Sequence, residues 1–157
     1  MFKIIVNNIE NPSDKKQAFK IRNLVFCKEQ KVSKEIEFDG LDEFCNHYLA
    51  KINELPIGTA RIREEKKGIF KIERMAVLKE HRKKGVGEAI MKAILKHYLN
   101  LNKVNNLILS SQIEAKDFYK KFGFIEVGEE FVEANIIHKK MVYNLKMVPA
   151  HGLEPRT

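Results

Sequence analysis

A run of basic residues and glycines, from Arg82 to Ala89, stands where a predicted strand passes into a predicted helix. Its two glycines, Gly85 and Gly87, let the backbone turn tightly and come close to a ligand. The first N–H groups of a helix have no partner inside the helix, and the helix dipole adds partial positive charge to them. The pattern favours binding of a pyrophosphate, although the same glycines could simply end a turn.

The loop lacks the motifs of two common nucleotide-binding classes. The glycines are not followed by the Lys-Ser/Thr pair of a P-loop, and the third glycine of a dinucleotide-binding fingerprint is missing. We therefore expect the phosphates to belong neither to a nucleoside triphosphate nor to NAD.

Acidic residues are concentrated in a second region, which we call the acidic block: Glu35, Glu37, Asp39, Asp42 and Glu43, with no basic residue among them. Two of its members, with two flanking residues, could form an anionic pocket for an amine: Glu29, Asp39, Asp42 and His47. An unperturbed histidine has a pKa of about 6.5, which would suit a proton relay. The alternative is that the carboxylates are solvated surface charges and that His47 makes an ordinary structural hydrogen bond.

Composition excludes several classes of protein. The chain has 157 residues and a formal net charge of +8, which could suit nucleic acid. However, the charges are split between a basic loop and an acidic block, and neither a set of stacking aromatics nor a recognition helix accompanies them, so we expect no nucleic-acid partner. No apolar run approaches the ~20 residues of a membrane span, and no signal peptide follows Met1, so we expect a cytoplasmic protein without a membrane partner.

The two cysteines, Cys27 and Cys45, show neither a CxxC spacing nor a neighbouring cluster of metal-ligand form. We expect them to be reduced thiols and expect no metal site.

The spacing of apolar residues predicts helices interleaved with strands. The predicted strands cover residues 2–6, 47–52, 57–63, 70–78, 106–110, 124–127 and 137–145, and the second and third form a hairpin around Asn53 to Pro56. Helices are predicted from Asn11, over about four turns with Ala18, Ile21, Leu24 and Val25 on one face, from Val86 to Leu101 and from Glu114 to Phe122. Residues 35–45 are too polar and irregular to show either period. This order indicates an α/β or α+β fold around one sheet.

We expect one domain over residues 1–146. The remaining residues, 147–157, contain two prolines and no periodicity, so we expect a disordered tail or a cloning remnant.

Two motifs, in the appropriate order, resemble those of the GNAT N-acetyltransferase superfamily. The first, Met75-Ala76-Val77 followed by Arg82-x-x-Gly85-x-Gly87, resembles its acetyl-CoA motif. The second, Gln112-x-x-Ala115-x-x-Phe118-Tyr119-x-x-x-Gly123-Phe124, resembles its C-terminal motif. Upstream, the pattern Arg22-x-x-Val25-Phe26-x-x-Glu29-Gln30, then Glu37-x-Asp39-x-x-Asp42 and His47, is similar to the ElaA-like branch.

The resemblance implies a GNAT acyltransferase fold of the α/β (α+β) class: a central mixed, mostly antiparallel twisted sheet of about six to seven strands, flanked by about four helices. It also implies transfer of the acetyl group of acetyl-CoA to a primary amine of a small molecule or peptide, by direct attack in a ternary complex. The alternative is a non-catalytic module that binds acetyl-CoA as a sensor or interacts with a partner on the same fold. A monomer or a homodimer is expected.

The cofactor contacts implied by the motifs fall into three groups. The backbone of Met75, Ala76 and Val77 would align the pantetheine arm as an extra strand. The loop and the start of the helix would hold the pyrophosphate: Arg82, Lys83, Lys84, Gly85, Val86, Gly87 and Glu88. The C-terminal motif would add Gln112, Ala115 and Phe118.

The implied chemistry assigns three tasks. The amine must lose a proton, because an ammonium of lysine type has a pKa of about 10.4. Glu73 is the candidate base, through water, unless it pairs with Arg61, Arg63 or Arg74; His47 is the other candidate. A backbone N–H of Met75 to Val77 would stabilise the developing oxyanion. Tyr119 would protonate the thiolate, although a tyrosine at helical spacing is often a core residue.

Overall fold

The structure is a computed structural model and describes residues 3–145. The predicted tail, residues 147–157, lies outside the described residues. The described residues form these strands: β1 (Ile4–Asn8), β2 (Asn46–Ile52), β3 (Leu55–Lys66), β4 (Ile69–Val77), β5 (Asn106–Gln112), β6 (Ile125–Glu133) and β7 (Ile136–Asn144). They form these α-helices: α1 (Pro12–Arg22), α2 (Lys34–Glu37), α3 (Val86–Tyr98) and α4 (Lys116–Lys120).

The strands make one seven-stranded mixed sheet in the order β1-β2-β3-β4-β5-β7-β6, and most of its pairs are antiparallel. The predicted fold class is therefore confirmed. By its internal contacts the chain divides into two compact units. Unit 1 comprises the described part of Met1–Arg63 together with Ile72–Tyr98, and unit 2 comprises Glu64–Lys71 with the described part of Leu99–Thr157.

The hairpin of unit 1 follows its turn chemistry. β2 and β3 pair antiparallel up to Ile52 opposite Leu55, and the two turn residues, Asn53 and Glu54, have positive φ angles of 48° and 67°. A two-residue turn of this kind matches the twist of the flanking strands. β1 pairs with the other edge of β2, with Ile4 opposite Ile52.

The first helical segment differs from its prediction. As predicted, the chain enters α1 at a capped start, because the Asn11 side chain accepts a hydrogen bond of 2.8 Å from the Asp14 N–H. After Arg22, however, the chain continues as a π-helical segment, Asn23–Glu29, in which the Gln30 N–H bonds to the Val25 carbonyl. The wider π turn shifts the side chains around the axis, so Leu24 is 42% exposed although it was predicted on the buried face.

Close approach between α3 and β3 depends on a glycine of unit 1. The buried face of α3 includes Val86, Ile90 and Ile94. A Cβ atom added to Gly58 of β3 would lie 2.9 Å from Cγ1 of Val86 and 3.1 Å from Cδ1 of Ile90. The missing side chain therefore lets the first turns of α3 pack directly on the strand.

Unit 2 is built on antiparallel pairing of β7 with both β5 and β6, for example Ile108 with Val142 and Val132 with Ile137. The predicted Gly-Phe turn after α4 is present, with Gly123 at φ 100° and Phe124 buried. No helix within residues 3–145 has the length and apolar character needed to cross a membrane.

Candidate active site

The basic glycine loop leads from the end of β4 to the start of α3, as predicted. Two of its residues, Lys83 and Gly85, have left-handed backbones, with φ angles of 63° and 86°. The first α3 hydrogen bond runs from the Ala89 N–H to the Gly85 carbonyl, at 3.0 Å. The N–H groups of Val86, Gly87 and Glu88 therefore have no acceptor within the helix.

The donors of this loop suit an anionic ligand. Lys83, Lys84 and Gly85 are exposed, and within residues 3–145 neither lysine has an ion pair. A Cβ at Gly85 would meet no atom within 4 Å, so the backbone is open on that side. Unpaired N–H groups, the positive end of a helix dipole and two uncompensated ammonium groups fit the pyrophosphate of a coenzyme A.

The Arg82 side chain is held by Glu29, a residue that the sequence analysis predicted in the amine pocket. Its two terminal nitrogens donate to the two Glu29 carboxylate oxygens, each at 2.7 Å, and its Nε donates to the Val77 carbonyl at 2.9 Å. The hydrogen bond from Arg82 lowers the pKa of Glu29. The structure thus places Glu29, a predicted amine contact, against the basic glycine loop, where it fixes the Arg82 guanidinium beside the end of β4.

β4 has an irregular backbone just before the predicted pantetheine segment. Arg74, between Glu73 and Met75, has a φ of 56° although it lies within the strand. Such a conformation is typical of a β-bulge, which redirects the backbone groups that follow it. Arginine gives no sequence signal for this geometry, since the residues that adopt it readily are glycine, asparagine and aspartate.

Three carboxylates of the acidic block belong to a closed ring of alternating charges, which we call the charge ring. It joins three arginines and three carboxylates in the order Arg22, Glu37, Arg74, Asp39, Arg61 and Asp42, and then returns to Arg22. The six contacts measure, in that order, 2.9, 3.1, 3.2, 2.8, 2.8 and 2.7 Å. Arg22 lies in α1, Arg61 in β3 and Arg74 in β4, so three elements hold the segment that carries the carboxylates.

The arginines of the charge ring compensate the negative charges of its three carboxylates. Arg22 and Arg61 are 1% and 0% exposed, so both guanidinium groups depend on the carboxylates for their hydrogen bonds. Hydrogen bonds from Arg61 lower the pKa of Asp39. Burial raises the pKa of Asp42, but hydrogen bonds from Arg22 and Arg61 outweigh it and the net pKa is lowered. At Glu37 burial is the larger effect and the pKa is raised.

Glu73, the candidate base, is joined to the charge ring. Its Oε2 lies 2.9 Å from Nη2 of Arg61 and 2.9 Å from Nε of Arg63. The alternative weighed from the sequence, pairing with arginines of neighbouring strands, is thus present for two of the three arginines. The third, Arg74, pairs with Glu37 and Asp39 of the charge ring.

His47, the other candidate base, is buried beside Asp42. Its Nε2 lies 2.9 Å from the Asp42 carbonyl oxygen, while its Nδ1 has no hydrogen-bond partner among the described residues. Burial lowers the pKa of His47, so the imidazole is neutral at pH 7. In that form the Nε2–H donates to the carbonyl and the Nδ1 lone pair is unused.

The C-terminal motif lies in unit 2. Gln112 ends β5, and Phe118 and Tyr119 stand side by side in α4 with ring centroids 5.0 Å apart. Burial raises the pKa of Tyr119 to about 12, so its hydroxyl keeps its proton at neutral pH and is available as a donor.

Sequence reasoning identified the loop and the carboxylates, and it named Arg61 and Arg63 as possible partners of Glu73. It missed the arginines that bind Asp39 and Asp42. The structure brings Asp39, Asp42 and Glu73 together through Arg61, and sets His47 against Asp42. No local pattern indicates the partners of Asp39 and Asp42, because those partners lie on separate elements.

Comparison with known proteins agrees with this architecture. The family model described as "Acetyltransferase (GNAT) domain" matches residues 12–145. The uncharacterized N-acetyltransferase YjcF of Bacillus subtilis is 41% identical over 134 residues, which are 85% of this chain and 94% of YjcF. Among solved structures, an acyl-CoA N-acyltransferase of Pseudomonas aeruginosa is 24% identical with a TM-score of 0.78, and the match covers 90% of this chain and 99% of the acyltransferase chain. Escherichia coli ElaA is 25% identical with a TM-score of 0.74, and the match covers 92% of this chain and 100% of the ElaA chain. The chain therefore belongs to the GNAT acetyltransferase family.

Proposed function

We propose that the protein is an acetyl-CoA-dependent N-acetyltransferase that acetylates a primary amine of a small molecule or a peptide. The observation that carries the proposal is the exposed, positively charged loop joining β4 to the N-terminus of α3, in a chain of the GNAT family. When bound, acetyl-CoA supplies the acetyl group as a thioester, whose carbon–sulfur bond breaks as the carbon–nitrogen bond of the product forms.

The proposed cofactor contacts follow the loop. Backbone groups of Met75, Ala76 and Val77 bind the pantetheine arm, and the residues from Arg82 to Glu88 bind the pyrophosphate. The free N–H groups of α3 and the unpaired lysines support the second assignment. Gln112, Ala115 and Phe118 of unit 2 stay predicted cofactor contacts.

Removal of the amine proton has two candidate bases with opposite surroundings. Glu73 is bound by Arg61 and Arg63, whose guanidinium groups compensate the charge of its carboxylate. His47 is neutral and has an unused lone pair on Nδ1. Substituting each in turn, Glu73→Gln and His47→Asn, separates the candidates: the base is the residue whose loss removes the rise of kcat with pH, provided that acetyl-CoA binding is unchanged.

Protonation of the leaving thiolate is assigned to Tyr119. Burial raises the pKa of Tyr119 to about 12, so the hydroxyl holds a proton at neutral pH but is a weaker acid than that of an exposed tyrosine. The assignment therefore rests on the motif position of Tyr119. Tyr119→Phe should lower kcat with little change in acetyl-CoA affinity. A variant that turns over at the full rate would remove Tyr119 from the mechanism.

Recognition of the amine by Glu29, Asp39, Asp42 and His47 stays a prediction. Each of the three carboxylates already binds an arginine, so an ammonium group would have to share their oxygens with a guanidinium. The charge compensation around Asp39 and Asp42 favours a structural role for them.

The experiment that tests the proposal is a screen for acetyl transfer, with CoA release as the readout. Polyamines, aminoglycosides, amino sugars and peptides with free N-termini cover the main classes of amine, and calorimetry measures acetyl-CoA binding separately. CoA release with one class of amine would support the proposed N-acetyltransferase activity. Tight acetyl-CoA binding without transfer to any amine would favour a non-catalytic sensor, and failure to bind acetyl-CoA would contradict both functions.

A further inference from the structure

Arg74 carries a backbone conformation that its own side chain disfavours. Its φ of 56° lies in the left-handed region, inside a strand whose other residues are extended. A side chain with a Cβ pays a steric penalty there that glycine does not. Some contact must therefore hold the Arg74 backbone in this conformation. Arg74 directly precedes Met75 to Val77, the segment proposed to bind acetyl-CoA.

The Arg74 side chain is anchored on the segment of the acidic block. Its Nε lies 3.1 Å from Oε2 of Glu37, and its Nη2 lies 3.2 Å from Oδ2 of Asp39. Its Nε and Nη2 also donate to the Glu37 backbone carbonyl at 3.3 and 3.2 Å, and Nη2 donates to the Ile36 carbonyl at 3.3 Å. Two carboxylates and two carbonyls thus receive one planar guanidinium, a geometry that a lysine ammonium cannot reproduce.

That anchor is itself fixed from two other elements. Arg22 of α1 binds Glu37 through its carboxylate and its backbone carbonyl, at 2.9 and 3.0 Å. Arg61 of β3 binds Asp39 through both carboxylate oxygens, at 3.1 and 2.8 Å. Because the charge ring closes through Asp42, neither carboxylate that holds Arg74 can move without breaking a buried contact.

We propose that Arg74 is a positioning residue: the charge ring holds its side chain, and thereby its left-handed backbone, so that the N–H groups of Met75 to Val77 are aligned on the thioester carbonyl of acetyl-CoA. The inference rests on the proposed function and assigns to the ring carboxylates the task of shaping this site. It gives the charge ring a purpose beyond stability, since buried ion pairs alone often add little net stability.

Substituting Arg74 by glycine and by alanine separates backbone control from simple loss of contacts. Both variants, Arg74→Gly and Arg74→Ala, remove the same ion pairs. Glycine adopts the left-handed conformation freely, whereas alanine does so only at a cost that corresponds to about tenfold in population. If the side chain serves to hold the backbone, the glycine variant keeps much of the aligned geometry and the alanine variant loses it.

The primary measurement is the ratio of the affinities for acetyl-CoA and for CoA, determined by calorimetry. Only acetyl-CoA offers the carbonyl oxygen, so a lost hydrogen bond should lower its affinity about fivefold relative to CoA in the alanine variant. The glycine variant should stay close to the wild type. Where an amine substrate has been found, turnover should fall about a hundredfold in the alanine variant, as for loss of an oxyanion donor, and much less in the glycine variant.

Two further variants separate loss of backbone positioning from misfolding. Glu37→Gln opens the charge ring without changing β4 and should lower the affinity ratio in the same direction. Lys51→Gln breaks a partly exposed ion pair of unit 1, with Asp14 at 3.2 Å, and should leave the ratio unchanged.

Two results would overturn the inference while the proposed function stands. One is an alanine variant with the wild-type ratio of acetyl-CoA affinity to CoA affinity. The other is an equal fall of that ratio in the alanine and glycine variants. A wild-type protein that binds neither acetyl-CoA nor CoA would instead overturn the proposed function, and this inference with it.

Discussion

Two charged regions of this protein look equivalent in the sequence and behave oppositely in the structure. The carboxylates of the acidic block that enter the charge ring, Glu37, Asp39 and Asp42, are each bound by two arginines. The lysines of the glycine loop, Lys83 and Lys84, are exposed and have no ion pair within residues 3–145. A run of like charges therefore does not show by itself whether a ligand can use it.

The difference lies in where the opposite charges come from. Arg22 and Glu37 are 15 residues apart in the chain, and Arg74 and Glu37 are 37 apart, so only the folded chain brings them together. The loop receives one such partner, Glu29, which engages Arg82 and leaves the lysines free. Glu37, Asp39 and Asp42 of the acidic block are thus compensated within the fold, while the two loop lysines are open to solvent.

The largest effect is expected on the free energy of unfolding when the charge ring loses Arg61. Arg61→Met removes a fully buried guanidinium and leaves Asp39, Asp42 and Glu73 without one partner each. Breaking a buried ion pair from one side costs about 3 to 5 kcal/mol of the free energy of unfolding, measured by urea denaturation. The partly exposed pair that Lys51 makes with Asp14 should cost less when broken by Lys51→Gln, about 1 kcal/mol. An Arg61 variant as stable as this control would show that the carboxylates are not compensated by Arg61.

The second effect tests the open surface. Gly87→Glu places a bulky negative charge at the start of α3, where the pyrophosphate is proposed to bind, and should weaken acetyl-CoA binding by about a hundredfold or more. Calorimetry measures the affinity. Lys96→Gln, near the other end of α3, changes the net charge by the same amount and should bind normally. Unchanged affinity in Gly87→Glu would mean that the loop is only a turn.

A smaller effect is expected from the two free lysines together. The double variant Lys83→Gln, Lys84→Gln should bind acetyl-CoA about threefold to tenfold more weakly at low salt, because exposed charges contribute modestly. The difference should shrink as salt is raised, since these charges are open to screening. A deficit that persists at high salt would indicate direct contacts that are sheltered from solvent.

The smallest effect concerns His47 beside the charge ring. Burial lowers its pKa in the folded protein, so the unfolded chain takes up the proton first as pH falls. Stability linked to His47 is complete above the unfolded pKa of about 6.5 and is lost as pH falls below it. His47→Asn should therefore flatten the fall in the free energy of unfolding between pH 7 and 5. An unchanged slope would mean that His47 titrates alike in both states.

Local patterns predicted most of the fold. The hairpin at Asn53 and Glu54, the strand that leads into the glycine loop and the Gly-Phe turn at Gly123 are all present, because each depends on nearest neighbours along the chain. The π-helical geometry after Arg22 and the short helix α2, which overlaps the start of the acidic block, were missed. Glu37 at the end of α2 is held by a buried ion pair with Arg22, which apolar periodicity does not reveal.

The sequence by itself determined the family, the loop and the types of residue available for chemistry, since motif spacing and turn chemistry are local properties. Only the tertiary structure decided what each charge does. It bound Glu29 to Arg82, placed Glu73 between two arginines and closed the charge ring around Arg74. The physical reason is that the energy of a charge depends on burial and on partners from distant segments, and neither is written in the order of neighbouring residues.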